Sequence, residues 1–366
     1  MQEKKKNIYH KYITIAKGIG ILLVVLGHCA NNNVESFLLL FHMPLFFFLS
    51  GYVFKDKYLD GNFSDYIKKK IKSLYIPYLV YEVIFLLLHN FFIDINFYNI
   101  AEKIYGKDIF YLNPKTFIIE FVKIVFCAGR EPIGGALWFL VVLFFVSILY
   151  YTISYFLKRF VKEEKFENTR LITIGLIFIA GNLLTKMGLN IPRFNNTLVM
   201  LFIYYLGNIC KKNEDKIKFN NSYICILSCI CLLVNNLYGS VSVNTNTYLS
   251  PDFMVVNCLL GVYIVLYISK KIENLNIGNK MKEIGNYSLG IMALHFFAFK
   301  FATILIILIE GREWKILSSF PTIEPVKYYV IIYFIVGIII PIGIIKFYNF
   351  IKKYFNIKLH KSINKF

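Results

Sequence analysis

The feature that most constrains the fold is a series of apolar stretches, each about as long as a bilayer-spanning helix. Such a helix needs about 20 mostly apolar residues, and ten segments of the chain meet that description. A shorter apolar segment, 117–128, is interrupted by two charged residues and is predicted to be an interfacial helix. The sequence therefore predicts an all-α polytopic membrane bundle that forms one domain over residues 1–366. Its predicted spans are 13–31, 38–54, 74–93, 134–157, 171–188, 196–210, 222–238, 253–269, 286–309 and 328–350.

Composition and charge agree with a membrane protein. The chain is 57% hydrophobic, whereas soluble domains are about 45–50% apolar. A net charge of +19 is compatible with a nucleic-acid partner, but the basic residues stand in short runs between the apolar segments. Of the 41 lysines and arginines, 30 fall in the N-terminal arm, four alternating loops and the C-terminal tail. By the positive-inside rule, both termini are predicted to be cytoplasmic, in a multi-pass protein of the cell membrane that binds no nucleic acid.

Neither the seven cysteines nor the first apolar segment indicates a reactive site or a cleaved signal peptide. The cysteines lie mostly in apolar segments and form no CxxC pair, so they are predicted to be small buried residues. No cluster has the spacing of metal ligands, and no metal site or bound cofactor is predicted. The first apolar segment lacks an A-x-A cleavage pattern and is expected to be a retained helix.

Two ionisable groups in the first segment flank the apolar stretch Ile19–Leu26. Lys17 and His28 are eleven residues apart, which is three helical turns plus roughly 20°, so they share one face about 16 Å apart. The same face continues to Glu35. Ionisable groups within a membrane usually line a cavity or pathway. The structural alternatives are that Lys17 extends to the lipid headgroups and that His28 bonds to a neighbouring helix.

Later segments supply further candidates, each with a structural alternative. His42 opens the second span, Trp138 lies at the outer start of the fourth, and His295 lies about a third of the way into the ninth. An interfacial tryptophan and buried, hydrogen-bonded histidines would explain them equally well. A run of lysines before the third span would suit a phosphate-bearing cytoplasmic ligand, or anionic lipid alone. These lysines are Lys68, Lys69, Lys70 and Lys72.

Two loops predicted to lie at the outer face are candidates for binding a ligand there. Residues 94–133 form a long polar loop, and residues 239–252 are rich in Ser, Thr and Asn and carry no cation. Such side chains can hydrogen-bond sugar hydroxyls, and long loops in compact proteins are often functional. An ordinary solvated loop would have the same composition.

Several motifs, taken in order, resemble the acyltransferase 3 family of integral membrane acyltransferases. The resemblance covers about residues 12–350 and is greatest to the branch that modifies cell-surface polysaccharides, including the intercellular-adhesin modifying proteins. It rests on "IAKGIGILLVVLGH", "FHMPLFFFLSGY", a basic loop ending "LYIPY", "LWFL" and "IGNYSLGIMALH".

This resemblance implies an enzyme that moves a small acyl group, commonly acetyl, from cytoplasmic acyl-coenzyme A to a sugar hydroxyl. His28 and Lys17 stand at the places of the family's essential histidine and its basic residue, which is usually arginine. Where a carboxylate is common three residues before the basic residue, this chain has Thr14. His28 is expected to act as a general base or to carry the acyl group itself.

The other candidates receive roles from their predicted positions relative to the two faces of the membrane. The lysine run and His295, expected in the inner half of the membrane, are assigned to the donor side. Glu35, His42 and Trp138 are assigned to the acceptor side. Expected partners are acyl-CoA, a carbohydrate acceptor, the lipid bilayer, and proteins of polysaccharide synthesis or export.

A transporter or polysaccharide exporter without acyl-transfer chemistry is the alternative from another functional class. The predicted spans, the polar face and the basic loops would serve it equally. Many transporters contain internal repeats, and none is found in this sequence. Binding of coenzyme A would separate the two interpretations. An inactive membrane scaffold is a third interpretation, favoured slightly by Thr14.

Overall fold

The computed structural model describes residues 2–189, 191, 193–324 and 327–363, with side chains from 11 to 354 in these ranges other than that of Lys327. Met1 and residues 364–366, which the sequence places in the cytoplasm, lie outside the described residues. The helices are α1 (Gln2–Cys29), α2 (Asn32–Leu39), α3 (His42–Tyr52), α4 (Phe63–Lys70), α5 (Ile76–Leu87), α6 (His89–Asp94), α7 (Pro114–Val125), α8 (Trp138–Phe160), α9 (Glu163–Lys186), α10 (Phe194–Lys212), α11 (Ser222–Asn235), α12 (Pro251–Ile272), α13 (Asn276–Asn286), α14 (Ser288–Glu310) and α15 (Lys327–Ile363).

Short irregular helices and two small hairpins complete the described structure. The 3₁₀ turns are Asp56–Asp60, Gly135–Leu137 and Trp314–Ser318, and a π-helical turn covers Ile71–Tyr75. The antiparallel strands are β1 (Lys103–Ile104) with β2 (Lys107–Asp108), and β3 (Val241–Ser242) with β4 (Thr247–Tyr248).

Within the described ranges, seven helical segments are long and apolar enough to cross a membrane. The predicted all-α polytopic membrane fold is therefore confirmed. These segments are Lys11–Cys29, Asn32–Tyr52, Gly135–Phe160, Glu163–Lys186, Pro251–Ile272, Ser288–Glu310 and Tyr328–Tyr354.

The other three predicted spans are helical but differ from single long apolar helices. Segment 74–93 is divided into α5 and α6, and the π-helical turn precedes it. Segment 196–210 lies in α10, which contains several asparagines and ends in two lysines. Segment 222–238 is a shorter apolar helix. The count of ten spans stays a prediction. The predicted interfacial segment 117–128 overlaps α7, where Glu120 and Lys123 form an ion pair of 2.5 Å.

The second predicted span is broken at its outer end. Asn31 caps α2 by accepting a hydrogen bond from the Val34 N–H, and the chain turns before His42 begins α3. Pro44 lies in the first turn of α3, where a missing N–H is tolerated. The break places Glu35 on one short helix and His42 on the next, so both can face the end of α1.

Glycines allow α1 to approach α13 closely. A Cβ added at Gly18 would lie 2.1 Å from the Met281 carbonyl oxygen, and one added at Gly285 would lie 2.0 Å from the Thr14 carbonyl oxygen. The backbones therefore meet where larger residues could not fit. The Gly-x-Gly sequence at 18–20 therefore has a packing role inside the span.

Polar contacts join the loops into two groups at opposite ends of the bundle. At the end that holds the start of α1, Lys212 pairs with Asp56 at 2.7 Å and with Glu167 at 2.5 Å, and Lys158 pairs with Asp60 at 2.6 Å. These three connections belong to the group predicted to be cytoplasmic.

The opposite group surrounds the end of α1 that carries His28. Asn196 donates to the Val243 carbonyl at 2.5 Å, and Ser36 donates to Asn236 at 3.1 Å. Loops predicted to lie outside the cell are thus in contact with one another.

Candidate active site

His28 lies in the last turn of α1, in contact with α14. Its ring stacks on that of His295, with centroids 5.3 Å apart and 19° between the planes. The edge of Phe296 packs against the same imidazole at 4.8 Å. These contacts fix the orientation of the His28 ring, and α1 continues without interruption from Lys17 to it.

Backbone carbonyls set the tautomers of the two neighbouring histidines. The Nδ1–H of His42 donates to the Leu38 carbonyl at 2.6 Å, and the Nδ1–H of His295 donates to the Met292 carbonyl at 2.9 Å. Since carbonyl oxygens only accept, each ring presents an unprotonated Nε2 in its neutral form. The Nε2 of His295 is buried and has no hydrogen-bond partner in the described part of the chain.

A cavity of about 190 Å³ opens beside His28. Four residues predicted from the sequence line it, namely His28, Glu35, His42 and Trp138. Helix α8, in the fourth predicted span, begins at Trp138, and both predicted acceptor loops reach this cavity. The other lining residues are Val24, Leu39, Met43, Tyr105, Arg130, Gly135, Ala136, Ser242, Val243, Asn244, Met292 and Phe296.

The position of His295 differs from the expectation. The sequence placed it in the inner half of the membrane near the donor lysines, whereas the structure stacks it on His28. The difference arises because α14 packs along α1 with His295 level with the last turn of that helix. Its donor-side role stays a prediction, and its contact is with the imidazole of His28.

Lys17 lies three turns before His28 on α1 and is half-buried. It is close enough to Lys70 that the two positive charges oppose each other. Burial first, then the charges of Lys69 and Lys17, lowers the pKa of Lys70 to about 8. In the described structure, none of these three lysines forms an ion pair with a carboxylate. They form a positively charged cluster at the level of Lys17, about three turns of α1 away from His28.

The predicted lysine run divides into two parts in the structure. Lys70 faces Lys17 and lies 5.4 Å from the Tyr66 ring centroid, and Lys69 hydrogen-bonds to the Tyr58 hydroxyl. Lys68 and Lys72 are exposed. The four lysines therefore do not share one environment, although their assignment to the donor stays a prediction.

Sequence reasoning missed Arg130 and Tyr105, which line the cavity with His28. The Arg130 guanidinium lies 4.1 Å from the Tyr105 ring centroid and donates to the Gly135 carbonyl at 3.3 Å. Burial lowers the pKa of Arg130, yet the group remains a cation because arginine titrates far above neutral pH. Tyr105 is at the tip of the β1–β2 hairpin, at a positive φ of 53°.

A buried carboxylate positions the loop that carries Arg130. Glu82 on α5 accepts from the Glu131 N–H at 2.8 Å. A Cβ at Gly134 would lie 2.8 Å from both oxygens of this carboxylate, so the glycine makes room for it. An acidic residue in the middle of a predicted apolar span was a signal that could have drawn attention to this site.

A second arginine, Arg193, lies near the cavity. It is 6.0 Å from the Trp138 ring centroid and donates to the Asn244 side chain at 3.3 Å. Burial, followed by the charge of Arg130, lowers the pKa of Arg193 to about 10, so the group is protonated at neutral pH. Two guanidinium groups therefore give the region around the cavity a positive potential.

The arrangement suits proton transfer from a hydroxyl and stabilisation of developing negative charge. Neutral imidazoles supply bases, and the nearby arginines supply fixed cations in a region of restricted water. A phosphate-bearing molecule fits the separate lysine cluster, because charge-assisted hydrogen bonds to phosphate need such unpaired cations.

Comparison with known proteins gives the family. A family model described as an acyltransferase domain, acyltransferase 3, matches residues 10–346. No curated protein and no solved structure matches the chain significantly. The matched range includes α1 with Lys17 and His28, and all elements that line the cavity. The chain therefore belongs to the acyltransferase 3 family and is a multi-pass membrane acyltransferase.

Proposed function

We propose that this acyltransferase moves an acetyl group from cytoplasmic acetyl-CoA to a hydroxyl of a carbohydrate at the outer face of the cell membrane. The observation that carries the proposal is the cavity that His28 shares with Glu35, His42 and Trp138, at the end of α1 opposite Lys17. One helix thus connects a cationic end with an end rich in neutral bases. O-acetylation of a polysaccharide across a membrane needs cations for the phosphates of the donor and a base for the hydroxyl proton of the acceptor.

The donor end is assigned to the cluster of Lys17, Lys69 and Lys70. Coenzyme A carries several phosphates, and cations without carboxylate partners attract such a ligand. From Lys17 to His28 the distance along α1 is about 16 Å. The acetyl-bearing arm of the donor would extend along this helix face, with its phosphates held at the cytoplasmic surface.

The transfer step at His28 balances without a further reactant. The acceptor hydroxyl oxygen attacks the thioester carbonyl carbon while the unprotonated nitrogen of His28 takes the hydroxyl proton. Arg130 stabilises the negative charge on the carbonyl oxygen. The carbon–sulfur bond then breaks, and the proton held by His28 passes to the leaving thiolate, which gives an ester and coenzyme A. Transfer through an acetyl-histidine would use the same groups in two steps.

The acceptor side is assigned to a carbohydrate because the cavity is bordered by hydrogen-bonding side chains of two outer loops. Ser242 and Asn244 come from the β3–β4 region, and Tyr105 comes from the β1–β2 hairpin. Hydroxyl, amide and phenol groups match the alternating donors and acceptors of a sugar. Proteins that synthesise or export the polysaccharide are the proposed neighbours in the membrane.

The proposal is tested with purified protein in lipid nanodiscs, labelled acetyl-CoA and a de-esterified surface glycan. The wild-type protein should form a product whose label is released by mild base. His28→Ala should lower transfer by about 100-fold or more, the scale of a lost general base. Retention of acetyl-CoA binding would show that this variant is folded.

Cys29→Ala provides the matched control. Cys29 is the next residue of α1, is buried, and donates weakly to backbone carbonyls. Its truncation should leave transfer close to wild type. Equal activity of His28→Ala and Cys29→Ala would contradict the role given to His28.

A further inference from the structure

A second and larger cavity lies on the outer side of the molecule, beside the one that contains His28. It has a volume of about 390 Å³ and is bordered by the β1–β2 hairpin, α7 and the loop before α8. His89 and Glu131 lie at its base, both buried, and are joined by a hydrogen bond of 2.8 Å between Nδ1 and Oε2. The transfer described above uses Tyr105 and Arg130 from its lining and gives the rest of this cavity no role.

Among the described residues, Tyr105 and Arg130 alone line both cavities. The Arg130 guanidinium stacks on the Tyr105 ring, and the Tyr105 hydroxyl lies over Gly135, where a Cβ would be only 2.1 Å away. Because the shared wall consists of side chains, one of them on an exposed hairpin tip, a ligand can occupy both cavities after a small displacement of the wall.

The charges that line the outer cavity balance. Three basic side chains (Lys107, Lys123 and Arg130) face three carboxylates (Asp108, Glu120 and Glu131). All three carboxylates have partners, in the Glu120–Lys123 pair at 2.5 Å, the Glu131–His89 pair at 2.8 Å and the exposed Asp108–Lys103 pair at 3.4 Å. A site with balanced charge and many hydrogen-bonding atoms does not select a polyanion. It suits a polar, uncharged ligand with several hydroxyl groups.

Aromatic surface is available in the same cavity. The Phe110 ring is 48% exposed and Tyr105 is 44% exposed, and both line it. Exposed aromatic rings next to hydrogen-bonding groups offer an apolar face and polar partners together. A sugar ring has the matching apolar face and polar edge.

We propose that the outer cavity binds the sugar unit adjacent to the one that is acetylated, so that the preferred acceptor is an oligosaccharide of at least two units. This inference rests on the proposed function. The acetylated unit would lie beside His28, the neighbouring unit against Phe110 and Lys107, and Tyr105 with Arg130 would contact the linkage between them.

The test uses acceptors of graded length. Fragments of one to four units, prepared by hydrolysis of the de-esterified cell-surface polysaccharide, are acetylated by the protein in nanodiscs with labelled acetyl-CoA. For the wild-type protein, KM should fall about tenfold between one and two units, which corresponds to about 1.4 kcal/mol. Fragments of three or four units should lower KM little further.

Two variants and two controls separate the outer cavity from the His28 cavity. Phe110→Ala and Lys107→Ala should raise KM for two-unit fragments about tenfold and should change KM for one unit far less. Tyr111→Ala and Lys115→Ala are the controls, since these exposed residues lie near the variants in sequence and line neither cavity. They should keep the wild-type length dependence.

A KM that does not depend on acceptor length, or an equal loss for all lengths in Phe110→Ala and Lys107→Ala, would overturn the inference and leave the proposed function intact. Failure of the wild-type protein to acetylate fragments of any length would instead contradict the proposed function. The two failures are therefore distinguishable in one experiment.

Discussion

Gly135→Ala tests the wall between the two cavities directly. The new Cβ would lie 2.1 Å from the Tyr105 hydroxyl oxygen and 2.7 Å from two ring carbons. Because contacting heavy atoms need about 3.5 Å, the phenol must move by roughly 1.4 Å. The ring is part-exposed and free to move outward, so the main loss is its contact with the Arg130 guanidinium, worth about 0.5–1 kcal/mol at such a site.

We therefore expect Gly135→Ala to destabilise the protein by about 1 kcal/mol, less than overpacking a rigid core, which costs about 1–3 kcal/mol. In a Tyr105→Ala background the obstacle is gone, and the same substitution should be nearly neutral. The assay is unfolding of the four proteins of this double-mutant cycle in one detergent, which yields a coupling energy of about 1 kcal/mol.

Gly18→Ala supplies the contrasting case, because its Cβ would meet the Met281 backbone carbonyl, which cannot swing aside. It should be more destabilising than Gly135→Ala, with no rescue by Tyr105→Ala. Identical effects of Gly135→Ala in the presence and absence of the Tyr105 side chain would refute the reasoning about the wall.

Three further predictions concern Lys17, Lys70 and His295. Lys17→Ala should lose most transfer activity through a raised KM for acetyl-CoA, whereas Lys17→Arg should retain activity because arginine keeps the positive charge. Equal loss of activity in both variants would argue against a role for the charge of Lys17. The KM of the wild-type protein for acetyl-CoA should rise as pH increases through about 8, since Lys70 is charged below its pKa of about 8 and neutral above it. Lys70→Ala should flatten this pH profile. A flat profile for the wild-type protein would contradict the role given to Lys70. His295→Ala should lower kcat with little change in the KM for acetyl-CoA, because it removes the ring stacked on His28. His295→Phe should recover part of this loss of kcat. No recovery would indicate that a ring nitrogen of His295, rather than the stacked ring, is needed.

The sequence predicts the elements of the fold better than it predicts the breaks within them. Hydropathy alone locates most membrane segments, because burial in lipid demands long apolar runs whatever the neighbouring helices are. It does not show that segment 74–93 is divided after Leu87, since polar residues such as His89 and Asn90 can also stand within an unbroken helix.

The site is predictable where its residues lie on helices in recognisable motifs. His28, His42 and Trp138 are found this way, and they line one cavity. Tyr105 could not be found, because its place depends on a hairpin tip that folds back over Gly135, thirty residues later in the chain. Such a contact leaves no local pattern in either segment.

Transfer of the acetyl group across the membrane, from the level of Lys17 on α1 to His28, is tested by the sidedness of the reaction. Sealed vesicles are prepared with the cytoplasmic face outward, de-esterified glycan enclosed, and labelled acetyl-CoA supplied only outside. Base-labile label should appear on the enclosed glycan with wild-type protein and should be absent with His28→Ala. Label that forms only when donor and glycan are on the same side of the membrane would contradict transfer across it.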